Sequence, residues 1–296
     1  MSAAPKMIET AITAVAVYSL FEPYWLKIRQ FELKSRKIPA SFDGKTVIFI
    51  SDIHCSPSFS IRRVKGLVKK INRLRPDMVI LGGDYITRDP DRILPVFKEF
   101  KRFRPSIATF GVLGNHDCDY GADLTRKGMR DAGIKNLENR GCWVHIGEEK
   151  IRIGGVSDVT SGIPQDVAPT LEETTEDDFV MLVSHNPSFI STMSEGAVDF
   201  ILSGHTHGGQ VAPIGMFGSL LNGGFKFLRS VLPSPFSKVL GFEHGFSSRH
   251  CRGVVSENGS KMIVSTGVGT FFLPVRFLSN PEIVHITLRK NSEELQ

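Results

Sequence analysis

The chain lacks any cysteine pair at metal-knuckle or redox spacing. Its four cysteines, Cys55, Cys118, Cys142 and Cys251, stand far apart with no CxxC among them. That excludes a disulfide framework and a zinc knuckle, and it suits a reducing compartment. Internal repeats and low-complexity segments are missing too, which excludes solenoid architectures and compositionally biased tails. Also missing is an apolar run long enough to cross a bilayer. The longest N-terminal one, residues 11–21, is bracketed by Glu9 and Glu22, about half of the roughly 20 residues a spanning helix needs. No twin arginine precedes that run and no small-residue cleavage site follows it, which argues against a signal peptide.

What is present is the composition of a globular protein. The 296 residues, 41% hydrophobic and 23% charged, can bury a large core as one α/β domain or two smaller ones. A net charge of +5 favours phosphates, acidic lipids or nucleic acid without choosing among them. After the apolar run come Pro23, Tyr24 and Trp25, then Lys27, Arg29, Lys34, Arg36 and Lys37. Rings beside cations suit an anionic membrane interface, while a helix packed on the protein's own surface is the other reading. Either way the catalytic body is expected over 41–296, and on the first reading residues 1–40 are an N-terminal, apolar and basic, membrane-associating segment.

From Gly44 onward, short apolar runs rich in β-branched residues alternate with polar loops. The runs are TVIFI (46–50), DMVIL (77–81), IATFGVL (107–113), KIRIGGV (150–156), DFVMLV (178–183), VDFIL (198–202), KMIVS (261–265) and EIVHITL (282–288). Unbroken hydrophobicity predicts strands covered on both faces. Between the first two, Ile61, Val64, Leu67, Val68, Ile71 and Leu74 keep helical spacing. The opposite face carries Arg62, Arg63, Lys69, Lys70 and Arg73, read as a solvated surface.

Chemistry-bearing residues follow five of these runs, at the strand ends where open α/β sheets place ligands. They are Asp52 and His54, Asp84, Asn115 with His116 and Asp117, His185, and the pair His205 and His207 in SGHTHGG. One such residue would be an ordinary cap; five in succession at the same topological position are not. Asp52, His54, Asp84, Asn115, His185, His205 and His207 offer oxygen and imidazole donors and no thiolate, which suits Mn, Fe, Zn or Mg, with Mg alone the poorest match. Seven donors exceed one ordinary site and fit two divalent metal ions sharing a carboxylate. The i, i+2 spacing of Asp52/His54 and His205/His207 predicts extended segments whose alternate side chains point one way.

The ordered set D-x-H, GGD, GNHD, H and GHTH resembles the calcineurin-like metallophosphoesterase superfamily from about residue 45 onward. The GHTHGGQ block and the STGVGTFFLPVRF…PEI ending are similar to its membrane-associated bacterial branch. The resemblance implies a four-layer αββα sandwich of two mixed β-sheets flanked by helices. It implies a metal-dependent phosphoesterase in which Asp52, His54 and His207 hold one ion, Asn115, His185 and His205 the other, and Asp84 bridges, with Mn2+ as the expected metal. It also implies that His116 acts on the transferring phosphoryl group or the leaving group. Asp117 is then expected to orient the His116 imidazole.

Substrate expectations rest on the segment over about 211–248, unusually apolar for a loop beside a polar site. Leu221, Phe225, Leu228 and Leu232 keep helical spacing there, with cations interspersed. Such a lid suits acyl chains meeting lipid headgroups, with Arg88, Phe225, Leu228 and Leu232 as substrate contacts. A helical insertion buried on the sandwich is the alternative. The lid and the N-terminal segment together point to a lipid or nucleotide-linked lipid substrate, to an anionic membrane surface as partner, and to the cytoplasmic face of a bacterial inner membrane. Within the superfamily, hydrolysis of UDP-2,3-diacylglucosamine in lipid A biosynthesis fits such a lid, although the best-known branch of that enzyme carries GNRD where this chain has GNHD. A general membrane phosphodiesterase stays open beside it. A DNA nuclease and a non-catalytic scaffold fit less well, and no nucleic-acid partner is expected.

Overall fold

A computed structural model of the protein describes residues 4–211 and 250–291. The expected lid, and with it Phe225, Leu228 and Leu232, lies outside the described residues apart from Val211 at its edge. In chain order the strands are β1 (Lys27–Ser35), β2 (Thr46–Ile50), β3 (Met78–Leu81), β4 (Ala108–Gly111), β5 (Lys135–Asn136), β6 (Arg140–Ile146), β7 (Glu149–Gly155), β8 (Val180–Val183), β9 (Phe200–Ser203), β10 (Gly253–Glu257), β11 (Ser260–Val264) and β12 (Glu282–Lys290). The helices are α1 (Ala4–Phe21), α2 (Ile61–Arg73), α3 (Ile93–Phe100), α4 (Asn115–Asp131) and the short α5 (Ala168–Leu171).

Two mixed sheets of six strands each form, in the orders β1-β12-β2-β3-β4-β5 and β10-β11-β9-β8-β7-β6. The apolar runs are unbroken because each central strand serves two interfaces. In β2 and β3, Val47, Phe49, Met78 and Ile80 face the second sheet, meeting Met181, Val183 and Leu202. Their neighbours Ile48, Ile50, Val79 and Leu81 pack under α2 and α3, against Val64, Val68, Val96 and Phe97. On the far side, Val180, Leu182 and Ile201 are covered by the 3-10 turn Pro187–Thr192 through Phe189 and Ile190. The architecture is the expected αββα sandwich, with an outer layer on the second sheet that is thin among the described residues.

The boundary expected near residue 40 is corrected. β1 pairs in parallel with β12 along its whole length, from Lys27↔Glu282 to Ser35↔Lys290. Leu33, Ile38 and Phe42 are buried between the sheets. The catalytic body therefore includes residues 27–40. Its basic residues are not a loose cluster: Arg29 pairs with Glu282 at 3.4 Å and Lys37 with Asp199 at 3.0 Å. The face of α2 expected to be solvated is also partly engaged. Arg63 donates to the Pro23 carbonyl at 2.7 Å and stacks over Tyr24 and Phe59, and Lys70 donates to the Leu26 carbonyl at 3.1 Å.

The C-terminal half of helix α1 leaves apolar residues facing outward. Val15, Val17, Leu20 and Phe21 are exposed, Phe21 by 57%. Its last turn touches the body through Tyr18, edge-on to Trp25 and Phe277 at 5.3 and 5.6 Å. Among the described residues no helix is long and apolar enough to cross a membrane. Deleting residues 1–16 should leave the thermal midpoint unchanged. Deleting residues 1–36 strips β1 from β12 and uncovers the inter-sheet core, and should abolish the cooperative transition followed by circular dichroism.

Candidate metal centre

All five predicted clusters arrive at one rim of the sandwich. β2 and β3 deliver Asp52, His54 and Asp84; β4 leads into Asn115, His116 and Asp117 at the start of α4; β8 and β9 of the other sheet deliver His185, His205 and His207. The site thus straddles the ends of both sheets.

The local backbone is not the extended one that the i, i+2 spacing predicts. Asp52, His54, Asp84, His205 and His207 have φ of 55°, 45°, 57°, 69° and 52°, all left-handed. Such a conformation costs a non-glycine residue on the order of 1–3 kcal/mol and persists only where its surroundings enforce it. The paired side chains converge because the chain coils tightly at each position, not because it alternates. Ile53, between the first pair, turns into the core, and the Thr206 hydroxyl, between the second, donates to the Cys251 carbonyl at 2.6 Å. Two glycines permit the close approach. A Cβ on Gly204 would stand 1.9 Å from Ser51 Oγ, and one on Gly114 would stand 2.2 Å from Asp84 Oδ1.

The donor atoms meet in two overlapping groups. Asp52, His54 and His207 form the first: His207 Nε2 lies 3.5 Å from Asp52 Oδ1 and 3.0 Å from His54 Nε2. In the second, Asn115 Oδ1 lies 3.2 Å from His185 Nε2 and 3.1 Å from His205 Nδ1. Asp84 Oδ2 stands between them, 3.3 Å from His54 Nε2 and 3.5 Å from His185 Nε2. Asp52, His54, Asp84, His185 and His207 are buried. Outer contacts aim the donors. The Asp52 carboxylate accepts from the His205 backbone N–H at 3.0 Å, and His185 Nδ1 donates to the Gly82 carbonyl at 2.6 Å, which turns Nε2 toward Asn115 and Asp84. This mixed oxygen and imidazole set fits a divalent metal centre.

Charge is concentrated here without solvent to dissipate it. Burial pushes the Asp52 carboxyl up, with the neighbouring Asp84 adding to the rise and His185 opposing it. Burial would also raise Asp84, but His185 and His116 outweigh it and hold Asp84 well below the usual carboxylate range. His185 shows the converse. Burial would lower it, and the adjoining Asp84 carries it well above the ordinary imidazole value. His207 is driven well below that value by burial, His54 and Arg276.

His116 shares the rim, and its donor atom lies within 4.8 Å of those of His54 and Asp84. The expected partnership with Asp117 is corrected. His116 Nδ1 donates to the Thr87 carbonyl at 2.5 Å. Asp117 instead accepts from the backbone N–H groups of Asp84, Tyr85 and Gly114 at 2.7, 2.9 and 3.0 Å. It caps the start of α4 and locks the Asp84 loop to it. Arg88 is exposed and lies over the Phe272 ring at 5.9 Å. Cys55 is a buried packing residue, and burial raises the Cys118 thiol.

Three contributors escape sequence reasoning. The Phe271 ring packs on those of His54, His116 and His207 at 5.8, 5.1 and 6.5 Å. Arg276 is fully buried, with Nη2 3.5 Å from His207 Nδ1. Glu22 is buried beneath the loop carrying both. The motif ending STGVGTFFLPVRF was visible as a signal, but spacing alone says nothing of which side chains turn inward.

A family model described as Calcineurin-like phosphoesterase matches residues 45–209. The Uncharacterized metallophosphoesterase YkuE of Bacillus subtilis is 29% identical over 290 residues, covering 95% of this chain and 93% of that protein. Phosphodiesterase YaeI of Escherichia coli is 27% identical over 194 residues, covering 64% of this chain and 70% of that one. A Transmembrane protein with metallophosphoesterase domain from Danio rerio is 27% identical over 294 residues, covering 94% of this chain and 61% of its own length.

Metal binding should depend on pH with a definite sign. Because the folded-state value of His185 is raised, its pair with Asp84 stabilises the metal-free protein below the ordinary imidazole value and loses that contribution as pH rises through the raised one. A cation must displace that proton. Titration calorimetry with Mn2+ should therefore show affinity climbing from acid to alkaline pH, with protons released into the buffer; a pH-independent affinity would contradict this.

Proposed function

The chain belongs to the calcineurin-like phosphoesterase family, and on that premise we propose that this phosphoester hydrolase uses two divalent cations, Mn2+ foremost, to cleave a phosphoester or pyrophosphate carried by a lipid at an anionic membrane surface. The observation that carries the two-ion part is the placement of one carboxylate oxygen, Asp84 Oδ2, within 3.3 Å of His54 and 3.5 Å of His185. Asp52, His54 and His207 would hold one ion and Asn115, His185 and His205 the other, with Asp84 shared between them.

Bound cations in such a centre neutralise phosphoryl oxygens and make a nucleophile of water near neutral pH. The side chains do the rest. Burial lowers the His116 imidazole, keeping it neutral at physiological pH. With Nδ1 committed to Thr87, its Nε2 is the nitrogen that exchanges a proton with the phosphoryl or leaving-group oxygen. Phe271 covers three of the imidazoles and excludes water from that side. The bond from phosphorus to the leaving group breaks as one to the water oxygen forms, and the proton that the water sheds is accepted at His116 Nε2 and passed to the departing oxygen.

Support for a lipid substrate comes from what surrounds the centre. Phe272, Leu273 and Leu278 are exposed on the loop beside His207, and the last turn of α1 meets the same loop through Tyr18 and Phe277 while Val15, Val17, Leu20 and Phe21 stay exposed. Large apolar surfaces left open mark contact sites. A curated relative is itself named as a transmembrane protein. UDP-2,3-diacylglucosamine, cleaved to UMP and 2,3-diacylglucosamine 1-phosphate, is the leading substrate, with the protein peripheral to the cytoplasmic face of a bacterial inner membrane. The phosphodiesterase name of another relative favours a second reading, a broader membrane-associated phosphodiesterase. A nuclease is disfavoured because Arg63 and Lys70 of α2 hold the N-terminal segment instead of facing a groove.

In the presence of Mn2+, UDP-diacylglucosamine should be hydrolysed faster than UDP-sugars without acyl chains; equal rates would remove the lipid substrate. His116→Ala should retain both ions by metal analysis while turnover falls roughly 100- to 10,000-fold, the usual range for a positioned acid or base. Loss of metal in that variant would make His116 a ligand instead.

A further inference from the structure

The N-terminal segment reaches the metal centre through a buried chain of hydrogen bonds. Glu22, directly after α1, is fully buried, and its carboxylate accepts from the Leu278 and Ser279 backbone N–H groups, both at 2.8 Å, and from Asn280 Nδ2 at 3.0 Å. A carboxylate taking three N–H donors makes charge-assisted bonds and holds its loop firmly. Ser279, so held, donates its hydroxyl to the carbonyl of His207 at 2.7 Å.

Arg276 lies on the same loop. It gives Nη1 to the Ser279 carbonyl at 2.8 Å, Nη2 to the Thr266 carbonyl at 2.8 Å and Nε to the Gly269 carbonyl at 3.1 Å. Its Nη2 comes within 3.5 Å of His207 Nδ1, behind the nitrogen that faces Asp52 and His54. Its backbone N–H donates to the Ser19 carbonyl in the last turn of α1 at 3.0 Å. The other side of the loop backs onto the first ligand: a Cβ on Gly267 would stand 2.6 Å from Asp52 Cβ.

We propose that Glu22, Ser279 and Arg276 are positioning residues for His207, so that the N-terminal segment completes one half of the metal centre and is not only a membrane contact. This rests on the two-ion reading above and deepens it. His207 sits at a left-handed φ of 52° and needs enforcement from outside its own turn. The Ser279 hydroxyl fixes its backbone, and the Arg276 guanidinium, whose N–H groups go to the Ser279, Thr266 and Gly269 carbonyls, holds Ser279 in place and packs beside the ring. A fully buried guanidinium beside a cation centre is costly unless its bonds are complete, and here the loop carbonyls complete them. A simple clasp between helix and loop would not need to touch the ligand at both backbone and ring.

The test uses the full chain, titrated with Mn2+ by calorimetry, as wild type, Glu22→Gln, Arg276→Lys and Ser279→Ala, with Phe21→Ser on the exposed side of α1 as control. The wild type and the control should bind two ions. Glu22→Gln and Arg276→Lys should weaken one of the two sites about 10- to 100-fold, the usual effect of removing an outer partner of a ligand, and leave the other unchanged. Ser279→Ala, which deletes a single hydroxyl and keeps the fold, should weaken the same site more mildly. Activity toward an aryl phosphodiester should return when Mn2+ is raised to saturation, which a folding defect would not allow. Two sites of wild-type affinity in all three variants would overturn the assignment, as would activity losses that persist with both sites filled. A wild type that binds fewer than two ions would defeat the two-ion reading itself.

Discussion

Asp52 and Asp84 are carboxylates at 0% and 2% exposure, ringed by His54, His185 and His207 at 3.3 to 3.5 Å. Unpaired, charges so desolvated would be strongly destabilising. The opposed shifts of Asp84 and His185 express that tension, each holding the other in its charged form. The donors also require left-handed backbone at five positions and close approaches that glycine permits, at Gly114, Gly204 and Gly267 among others. A stiff frame has to supply this. Two sheets packed through Phe49, Ile80, Met181 and Leu202 bring their strand ends to a common rim and keep them there. Fold and site are thus one problem: the sandwich core holds in place a polar cluster that could not hold itself.

How much of this was readable from the chain depends on which physical signal each element carries. All eight strands with unbroken apolar runs are present. The four that were missed, β1, β5, β6 and β10, are the outer strands of the two sheets. An edge strand buries little: β10 alternates partly buried and exposed residues, and β1 is mostly exposed, so charges such as Arg29 and Lys34 make it read as part of a basic membrane-associating segment. Every predicted metal-ligating residue reaches the site, because position after a buried strand is a robust signal. The reason for the i, i+2 spacing was different, since φ is not written in a motif. Asp117 was misassigned for a similar reason. A carboxylate beside a histidine in sequence points away from it at the first turn of a helix, where free backbone N–H groups compete for it.

The N-terminal segment changes meaning once the fold is known. Its apolar helix faces outward, and the residues just after it are bound on both sides, by Arg63 and Lys70 of α2 and by the loop that Glu22 holds. A segment that reads as a detachable anchor is therefore integrated with the catalytic body. Surface contact and metal geometry share one loop, 271–280, whose outward residues Phe272, Leu273 and Leu278 are apolar and whose inward residues Phe271 and Arg276 touch the imidazoles. The proposed lipid chemistry and the proposed positioning role draw on opposite faces of that loop.

The most direct test is a crystal of the Mn2+-loaded full chain measured at the manganese absorption edge. The account predicts two anomalous peaks about 3.5–4 Å apart, one among Asp52, His54 and His207 and one among Asn115, His185 and His205, with Asp84 between. A single peak, or peaks remote from Asp84, would contradict it.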